Sequence, residues 1–139
     1  MDSNDALVFA ALQSGNRFMP APVPQTNMFA YKASNAISGD PGIGYMLWEN
    51  ATQISANHIC INNINDSGND INIFLAALKS GVSLYVQDAN DSANFQKWSI
   101  NGTPAKNTGY WRIPVNFVSS GGAGTTNFPN NHKLFIVTA

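Results

Sequence analysis

Residues 70–98, DINIFLAALKSGVSLYVQDANDSANFQKW, decide the fold of this chain. The first part of the stretch places four apolar residues at the i, i+3, i+4, i+7 spacing of one helical face, namely Ile71, Phe74, Leu75 and Leu78. Asp70 suits the N-cap, Lys79 suits the last turn, and Gly81 suits the left-handed residue that closes a helix. The pattern therefore predicts a short helix within residues 70–81.

The second part of the stretch changes to the period of a β-strand. Val82, Leu84 and Val86 alternate with more polar side chains, and residues 88–92, DANDS, are typical of a turn. A second strand then carries Phe95 and Trp98. A helix followed by a hairpin predicts a small sheet-based module in which the helix closes one end of the core.

Short strands recur along the rest of the chain. Residues 110–118 form the clearest one, and Pro114 within them predicts that the strand lies at an edge or carries a bulge. The glycine-rich residues 119–126 predict a flexible loop. Further strands are predicted at residues 44–49, 53–61 and 133–137, and another over residues 27–38, NMFAYKASNAIS. These spacings predict a mainly β fold, an antiparallel, jelly-roll-like β-sandwich or barrel with one short helix.

The N-terminal part of the chain has a different character. Residues 18–27, FMPAPVPQTN, contain three prolines, so this piece is expected to be extended. Residues 38–42, SGDPG, form a strong break. We therefore expect an extended N-terminal arm over residues 1–40 and a β-sandwich module over residues 41–139.

The composition argues against several classes of partner. Charged residues make up 11% of the 139 residues, against about 25% in a typical soluble domain, and the net charge is -1. Such a chain lacks the basic surface of a nucleic-acid-binding or membrane-surface protein. Cys60 is the only cysteine, which excludes an internal disulfide and a cysteine-based metal site. Residues 1–15 lack a signal-peptide pattern, which predicts folding in a cytoplasm.

Two groups of residues could be catalytic. His58 and Cys60 could form a thiolate–imidazole pair, but two positions on one strand face are more typical of packing. Asp88 and Asp91, or Glu49 with either, could act as a glycosidase pair, but the two aspartates flank a turn and favour turn chemistry. We therefore predict no catalytic residue and no cofactor, and the chain is not expected to be an enzyme.

Two further patterns could bind a ligand. Residues 66–70, DSGND, have the spacing of a calcium loop but lack its terminal glutamate, so a turn with a helix cap is favoured and no metal ligand is predicted. Five aromatic residues could form a platform that stacks on sugars, although Trp98 and Trp111 have apolar neighbours that favour the core. The five are Trp48, Tyr85, Trp98, Tyr110 and Trp111.

Three runs resemble a module of tailed-bacteriophage virion proteins, found in C-terminal parts of tail-fibre and head-fibre proteins. They are GYMLWENATQ (44–53), FLAALKSGVSLYVQDANDSANFQKWSINGTP (74–104) and YWRIPVNFVSSGGAGTTNFPNN (110–131). The chain has no repetitive stalk and no coiled-coil or collagen-like tract. A module of this size without a stalk looks more like a head-decoration, or cement, protein than a fibre.

This resemblance implies a location in the virion after synthesis in the host cytoplasm. The expected partners are the major capsid protein and copies of the chain itself, with a homotrimer as the expected oligomer. The alternative is a head-fibre or tail-fibre module that recognises a host surface glycan. The arm is expected to dock on a neighbouring subunit or on the capsid. Its expected partner-binding residues are Phe18, Met19, Pro20, Pro22, Pro24, Met28, Phe29 and Tyr31.

Overall fold

Eight β-strands dominate the computed structural model, which describes residues 27–139. Two short α-helices, α1 (Asn72–Ala76) and α2 (Ala123–Thr126), and one 3₁₀ helix (Gln53–Ser55) lie between them. The strands are β1 (Asn27–Ala33), β2 (Tyr45–Trp48), β3 (His58–Asn62), β4 (Ser83–Asp88), β5 (Phe95–Ile100), β6 (Ala105–Lys106), β7 (Tyr110–Gly121) and β8 (Lys133–Thr138).

Seven of these strands close into a barrel. Neighbouring strands follow the order β3-β2-β1-β8-β4-β5-β7, and β7 then pairs with β3 to complete the ring. The short strand β6 pairs with the first part of β7, along the edge of β7 that faces away from β3. The mainly β prediction is confirmed, and of the two predicted forms the barrel is the one observed.

Closure depends on the length of β7. Its first five residues pair with β3, and residues from Val115 onward pair with β5. Pro114 lies at the change of partner, where its missing N–H group removes no ladder bond that the sheet requires. The bulge lies further along, because Lys97 pairs with Ser119 and Trp98 pairs with Phe117.

The predicted domain boundary at residue 40 needs correction. Residues 27–33 form β1, which pairs with β8 on one side and, in parallel, with β2 on the other. Phe29, Tyr31 and Ala33 alternate toward the interior, so burial of this face holds the strand in the barrel. The parallel β1–β2 pair also departs from the expected antiparallel sheet. Residues 1–26 of the predicted arm lie outside the described residues.

Large apolar side chains fill the interior. Trp48 and Trp98 are almost fully buried and Trp111 is 8% exposed, so the prediction that Trp98 and Trp111 belong to the core is confirmed. Ile59 and Ile61 also point inward from β3. The barrel therefore encloses a packed core, as expected of a ring with few strands.

The predicted helix is present but shorter than expected. It spans Asn72–Ala76, and Ile71 occupies the N-cap position without a side-chain cap. Asp70 instead accepts a hydrogen bond from the N–H group of Asn72 at 2.9 Å, so its predicted role as N-cap is wrong. Gly81 does adopt the predicted left-handed conformation, with φ +95°.

Two local predictions are wrong at the end of the barrel that lies away from α1. Residues 53–55 form a 3₁₀ helix, so the predicted strand over residues 53–61 begins only at His58. Residues 119–126 are not a loop, because β7 continues to Gly121 and α2 follows. Gly124 lies directly against the backbone of Phe95, where any Cβ atom would collide. The glycines serve close packing here, and the expectation of one helix is also wrong.

Candidate binding surfaces

The end of the barrel at which β1 begins carries α1, and we call it the α1 end. Phe74 of α1 packs on Phe29 of β1, with their ring centroids 4.5 Å apart. Leu75 and Leu78 are buried beneath the helix. The apolar helical face predicted from the sequence therefore does close this end of the core.

Two large apolar side chains remain on the surface of the α1 end. Ile73 is 86% exposed and Met28 is 58% exposed, and each is the chain neighbour of one of the two packed phenylalanines. A depression of about 480 Å³ lies between Phe29 and residues 70–74. Strand β1 begins at this same end, at Asn27.

The predicted partner-binding residues fall into two groups. Met28 is exposed, Phe29 is half-buried under Phe74, and Tyr31 is fully buried with its hydroxyl donating to the carbonyl oxygen of Asn62 at 2.7 Å. Burial and the charge of Asp70 raise the pKa of Tyr31. Tyr31 is thus a core residue, and its predicted partner contact is wrong. The others, Phe18, Met19, Pro20, Pro22 and Pro24, lie outside the described residues.

The opposite end carries α2, and we call it the α2 end. A buried amide network closes it, centred on Gln96 of β5, which is fully buried. The Oε1 atom of Gln96 accepts the indole N–H groups of Trp48 at 2.7 Å and Trp98 at 3.1 Å. Its Nε2 atom donates to Gln53 Oε1 and to the carbonyl oxygen of Gly124, both at 3.0 Å. Every hydrogen-bonding group of the Gln96 amide is therefore used.

Gln53 carries this network to the surface. Its Oε1 atom also accepts the N–H group of Phe128, and its Nε2 atom donates to the carbonyl oxygen of the same residue, both at 2.9 Å. The backbone N–H of Gln53 donates to Asn127 Oδ1 at 2.9 Å. These bonds fix residues 127–128 against the barrel, although Asn127 holds a φ of +90° that is rare outside glycine.

A cleft of about 220 Å³ opens above this network, and we call it the asparagine cleft. Trp48 and Phe128 form its buried floor, and among residues 27–139 no charged side chain lines it. Its rim carries four exposed asparagines, Asn35, Asn50, Asn127 and Asn130. The surface of the α2 end is therefore polar and neutral at this point.

A polar cluster on the outer wall joins Glu49, His58, Cys60 and Arg112. Arg112 binds both carboxylate oxygens of Glu49, at 2.8 and 2.9 Å, and this pairing holds the pKa of Glu49 below its usual range. Cys60 donates its S–H to Glu49 at 3.2 Å, and burial together with that carboxylate raises the pKa of the thiol to about 12. A protonated thiol is a weak nucleophile, so the packing interpretation of this strand face is favoured.

The other acidic residues have local structural partners. Asp88 accepts the N–H of Asn90 at 2.9 Å, and Asp91 accepts the N–H of Ala93 at 2.9 Å. Both therefore hold the turn between β4 and β5, as turn chemistry predicts. Asp66 lies 3.4 Å from the ammonium group of Lys32 in the segment that resembles a calcium loop. Within residues 27–139, no group of three His, Cys, Asp or Glu side chains could hold a metal ion.

The predicted aromatic platform is not formed. Trp48, Trp98 and Trp111 are buried and donate their indole N–H groups to side-chain oxygens inside the fold, while Tyr85 and Tyr110 remain half-exposed. A sugar could not stack on three buried rings. The hypothesis of a five-residue stacking platform is therefore wrong, and the asparagine cleft is a different surface.

Sequence reasoning also missed functional candidates at both ends. Ile73 lies outside the apolar face of its own helix, and an apolar residue in that position could have indicated a surface that contacts a partner. Gln96 shares one face of its strand with the apolar residues Trp98 and Ile100, which gives a weaker signal. No sequence pattern indicated that the four cleft asparagines lie together, because they come from three separate segments.

Comparison of the chain with models of protein families, with curated proteins and with solved structures gives no match. In the part of the chain that the structure describes, no helix has the length and apolar character needed to cross a membrane.

Proposed function

We propose that this chain is a structural protein of a bacteriophage virion that decorates the head by binding the major capsid protein through its α1 end. The observation that carries the proposal is the surface of that end. Ile73 and Met28 are exposed there, and β1 begins there at Asn27, the residue that follows the N-terminal segment 1–26. One surface thus combines apolar side chains with the segment expected to dock.

The physical reason is the gain from covering those side chains. Full burial of an exposed isoleucine or methionine stabilises a complex by about 1.5–3 kcal/mol. Exposed apolar side chains that lie together commonly mark protein contacts, and Ile73 and Met28 each adjoin the packed pair of Phe74 and Phe29. Because the net charge is only -1, apolar burial is a better candidate than charge attraction for holding the chain on a capsid.

The closed barrel changes the expected mode of attachment. Strands that belong to a ring have their backbone groups paired, so most of the sheet offers no edge for an added strand. We therefore place the attachment on α1 side chains and on residues 1–26, and not on sheet edges. Phe18 and Met19 are the apolar residues of that segment that we expect to contact the capsid, while Pro20, Pro22 and Pro24 limit the entropy lost on docking.

The proposed partners also include copies of the chain. A closed homotrimer on a capsid symmetry axis would place three α1 ends on equivalent capsid sites. Each weak apolar contact would then be reinforced by the others, because linked sites raise the effective concentration at each one. Bridging of neighbouring capsid subunits in this way would oppose expansion of the particle.

The test is binding of the full chain to heads that lack it. Ile73→Glu should weaken binding about tenfold or more, because a charge would replace the side chain to be buried. Val118→Glu is the matched control, since Val118 is an exposed apolar residue of β7 away from α1. Equal losses in both variants, or no loss with Ile73→Glu, would contradict attachment through the α1 end.

The location in the virion needs a separate measurement. Quantitative mass spectrometry of purified particles gives the number of copies of this chain relative to the major capsid protein. A ratio near stoichiometric is the expected result for a decoration protein. A handful of copies per particle would contradict decoration and favour a fibre component.

The second candidate function is a head-fibre or tail-fibre module that recognises a host surface glycan. The neutral asparagine cleft favours it, since side-chain amides can both donate to and accept from sugar hydroxyls. Both candidates place the chain in the virion, and neither requires catalysis, a cofactor, nucleic acid or a membrane. Copy number separates the two roles, and sugar binding tests the cleft directly.

A further inference from the structure

The asparagine cleft has the features of a site that is organised before its ligand arrives. Asn50 Oδ1 accepts the N–H of Thr52 at 2.8 Å. Asn127 is held from both sides of its amide, because Oδ1 accepts from Gln53 at 2.9 Å and Nδ2 donates to the carbonyl oxygen of Ala51 at 2.9 Å. Two rim residues are thus fixed by bonds to backbone groups, which limits the entropy lost on binding.

The other two rim asparagines keep hydrogen-bonding capacity for a ligand. Asn130 Oδ1 accepts the backbone N–H of Asn35 at 3.0 Å, which orients the side chain of Asn130. Among the described residues, neither the NH₂ group of Asn130 nor the side-chain amide of Asn35 has a hydrogen-bond partner within the protein. An oriented donor and a complete amide therefore face the same small cleft.

The floor of the cleft is rigid because it belongs to the buried network. Trp48 and Phe128 form the floor, and both are bonded to the glutamine pair Gln53 and Gln96. A satisfied polar network fixes side-chain directions more strictly than apolar packing does. Asn127 keeps its strained backbone conformation at the rim of the cleft, and unusual φ values of this kind tend to occur at functional sites.

We propose that the asparagine cleft binds one neutral pyranose ring of a glycan. Amide groups match adjacent ring hydroxyls, each of which donates and accepts, and Pro129 offers an apolar surface for the C–H face of the ring. The volume of about 220 Å³ is smaller than the roughly 300–1,000 Å³ of sites for drug-sized ligands, so one ring fits better than an oligosaccharide.

The lining also selects against other ligand classes. The described part of the chain places no lysine or arginine at the cleft, so an acidic sugar or a phosphate would lose its hydration there without gaining an opposite charge. An extended peptide needs a long groove or an open strand edge, and the cleft is a short depression at the end of a closed ring. This inference deepens the second candidate function and does not rest on attachment to a capsid, because the cleft lies at the end opposite α1.

The test uses the full chain and NMR titration with methyl α-pyranosides of glucose, galactose and mannose and with N-acetylglucosamine. We expect at least one neutral sugar to shift the side-chain amide signals of Asn35 and Asn130, with a Kd on the order of 1–10 mM. Glucuronic acid and N-acetylneuraminic acid should bind about tenfold more weakly. A blocked tetra-alanine peptide should leave these signals unchanged.

Variants decide whether the observed shifts come from the cleft. Asn35→Ala and Asn130→Asp should each weaken sugar binding about tenfold. Asn69→Ala is the matched control, since Asn69 is an exposed asparagine in the loop before α1 and should bind as the wild type does. Ala36→Phe should abolish binding, because Ala36 lines the cleft and a ring there would fill it without removing any rim amide.

Several results would overturn the proposal. These are the absence of shifts with every neutral sugar up to about 50 mM, equal binding of acidic sugars, shifts with the peptide alone, or full sugar binding by Ala36→Phe. A separate measurement, binding to heads, would contradict the capsid-attachment proposal. Ile73→Glu would then bind heads normally, whatever happened to the titration of the cleft.

Discussion

The two ends of the barrel are closed in chemically opposite ways. At the α1 end, a single helical turn covers the core with Leu75 and Phe74, and the surface keeps the apolar side chain of Ile73. At the α2 end, the buried amides of Gln53 and Gln96 close the core, and the surface carries neutral asparagines. The barrel thus presents exposed apolar side chains at the α1 end and neutral polar side chains at the α2 end.

The difference shows how a closure constrains the surface above it. Apolar packing is not directional, so the α1 end can present contact area without fixing individual atoms. Hydrogen bonds are directional, so the network under the α2 end fixes residues 127–128 and the asparagines beside them. Contact area suits attachment to another protein, whereas fixed donors and acceptors suit recognition of a small polar ligand.

The largest expected effect comes from breaking the network of the α2 end. Gln96→Leu would leave the indole N–H groups of Trp48 and Trp98 and the carbonyl oxygen of Gly124 buried without partners. The free energy of unfolding should fall by about 4 kcal/mol, since each buried unpaired group costs about 1–3 kcal/mol. Urea unfolding monitored by tryptophan fluorescence measures this loss.

The matched control for that change is Gln87→Leu. Gln87 lies on β4, is half-buried, and makes no side-chain hydrogen bond among the described residues. Its replacement should change stability by about 0.5 kcal/mol or less. A similar loss in both variants would mean that glutamine-to-leucine changes in these strands cost stability for reasons unrelated to the network.

The second effect tests the apolar closure of the α1 end. Leu75 is 1% exposed, so Leu75→Ala should lower the free energy of unfolding by about 3 kcal/mol through lost burial and the cavity left behind. Ile73 lies two residues away and is 86% exposed, so Ile73→Ala should change the free energy of unfolding by about 0.5 kcal/mol or less. A large loss with Ile73→Ala in urea unfolding would show that Ile73 packs within the fold instead of serving a partner.

Local patterns predicted which side chains of the α1 segment close the core, but they did not predict the network of the α2 end. The helical spacing of Ile71, Leu75 and Leu78 and the period-2 pattern of β4 are set by neighbours in sequence. They correctly indicated which side chains reach the core. The network of Gln96 with Trp48 and Gln53 joins residues more than 40 positions apart, and no local period encodes such contacts.

Two errors have the same origin in distant pairing. Proline and glycine around residues 20–42 suggested a separate arm, yet β1 is held by β8 at the far end of the chain. The glycines of residues 121–124 suggested a flexible loop, yet Gly124 is required for close contact with the backbone of Phe95. A glycine pattern alone does not distinguish a flexible segment from a packed segment that has no room for a side chain.

The smallest expected effect is a pH dependence that Asp88 gives to the α2 end. Asp88 is buried at the end of β4, where it accepts the N–H of Asn90 and its Oδ2 atom lies 3.2 Å from His132 Nε2. The N–H of Asn90, followed by His132 and Asn94, holds the pKa of Asp88 below its usual range. The carboxylate therefore stabilises the folded state most in its charged form.

The sign of the effect follows from this lowered pKa. The contribution is complete above the unfolded-state pKa of about 3.9 and is lost as the pH falls through the lower folded-state value. Asp88→Asn should thus be about 1 kcal/mol less stable than the wild type at pH 7, and the two should converge in acid. Urea unfolding from about pH 2 to pH 7 measures the difference. A difference that stays constant with pH would mean that the charge of Asp88 does not hold this turn, and the α2 end would then depend on its neutral amides alone.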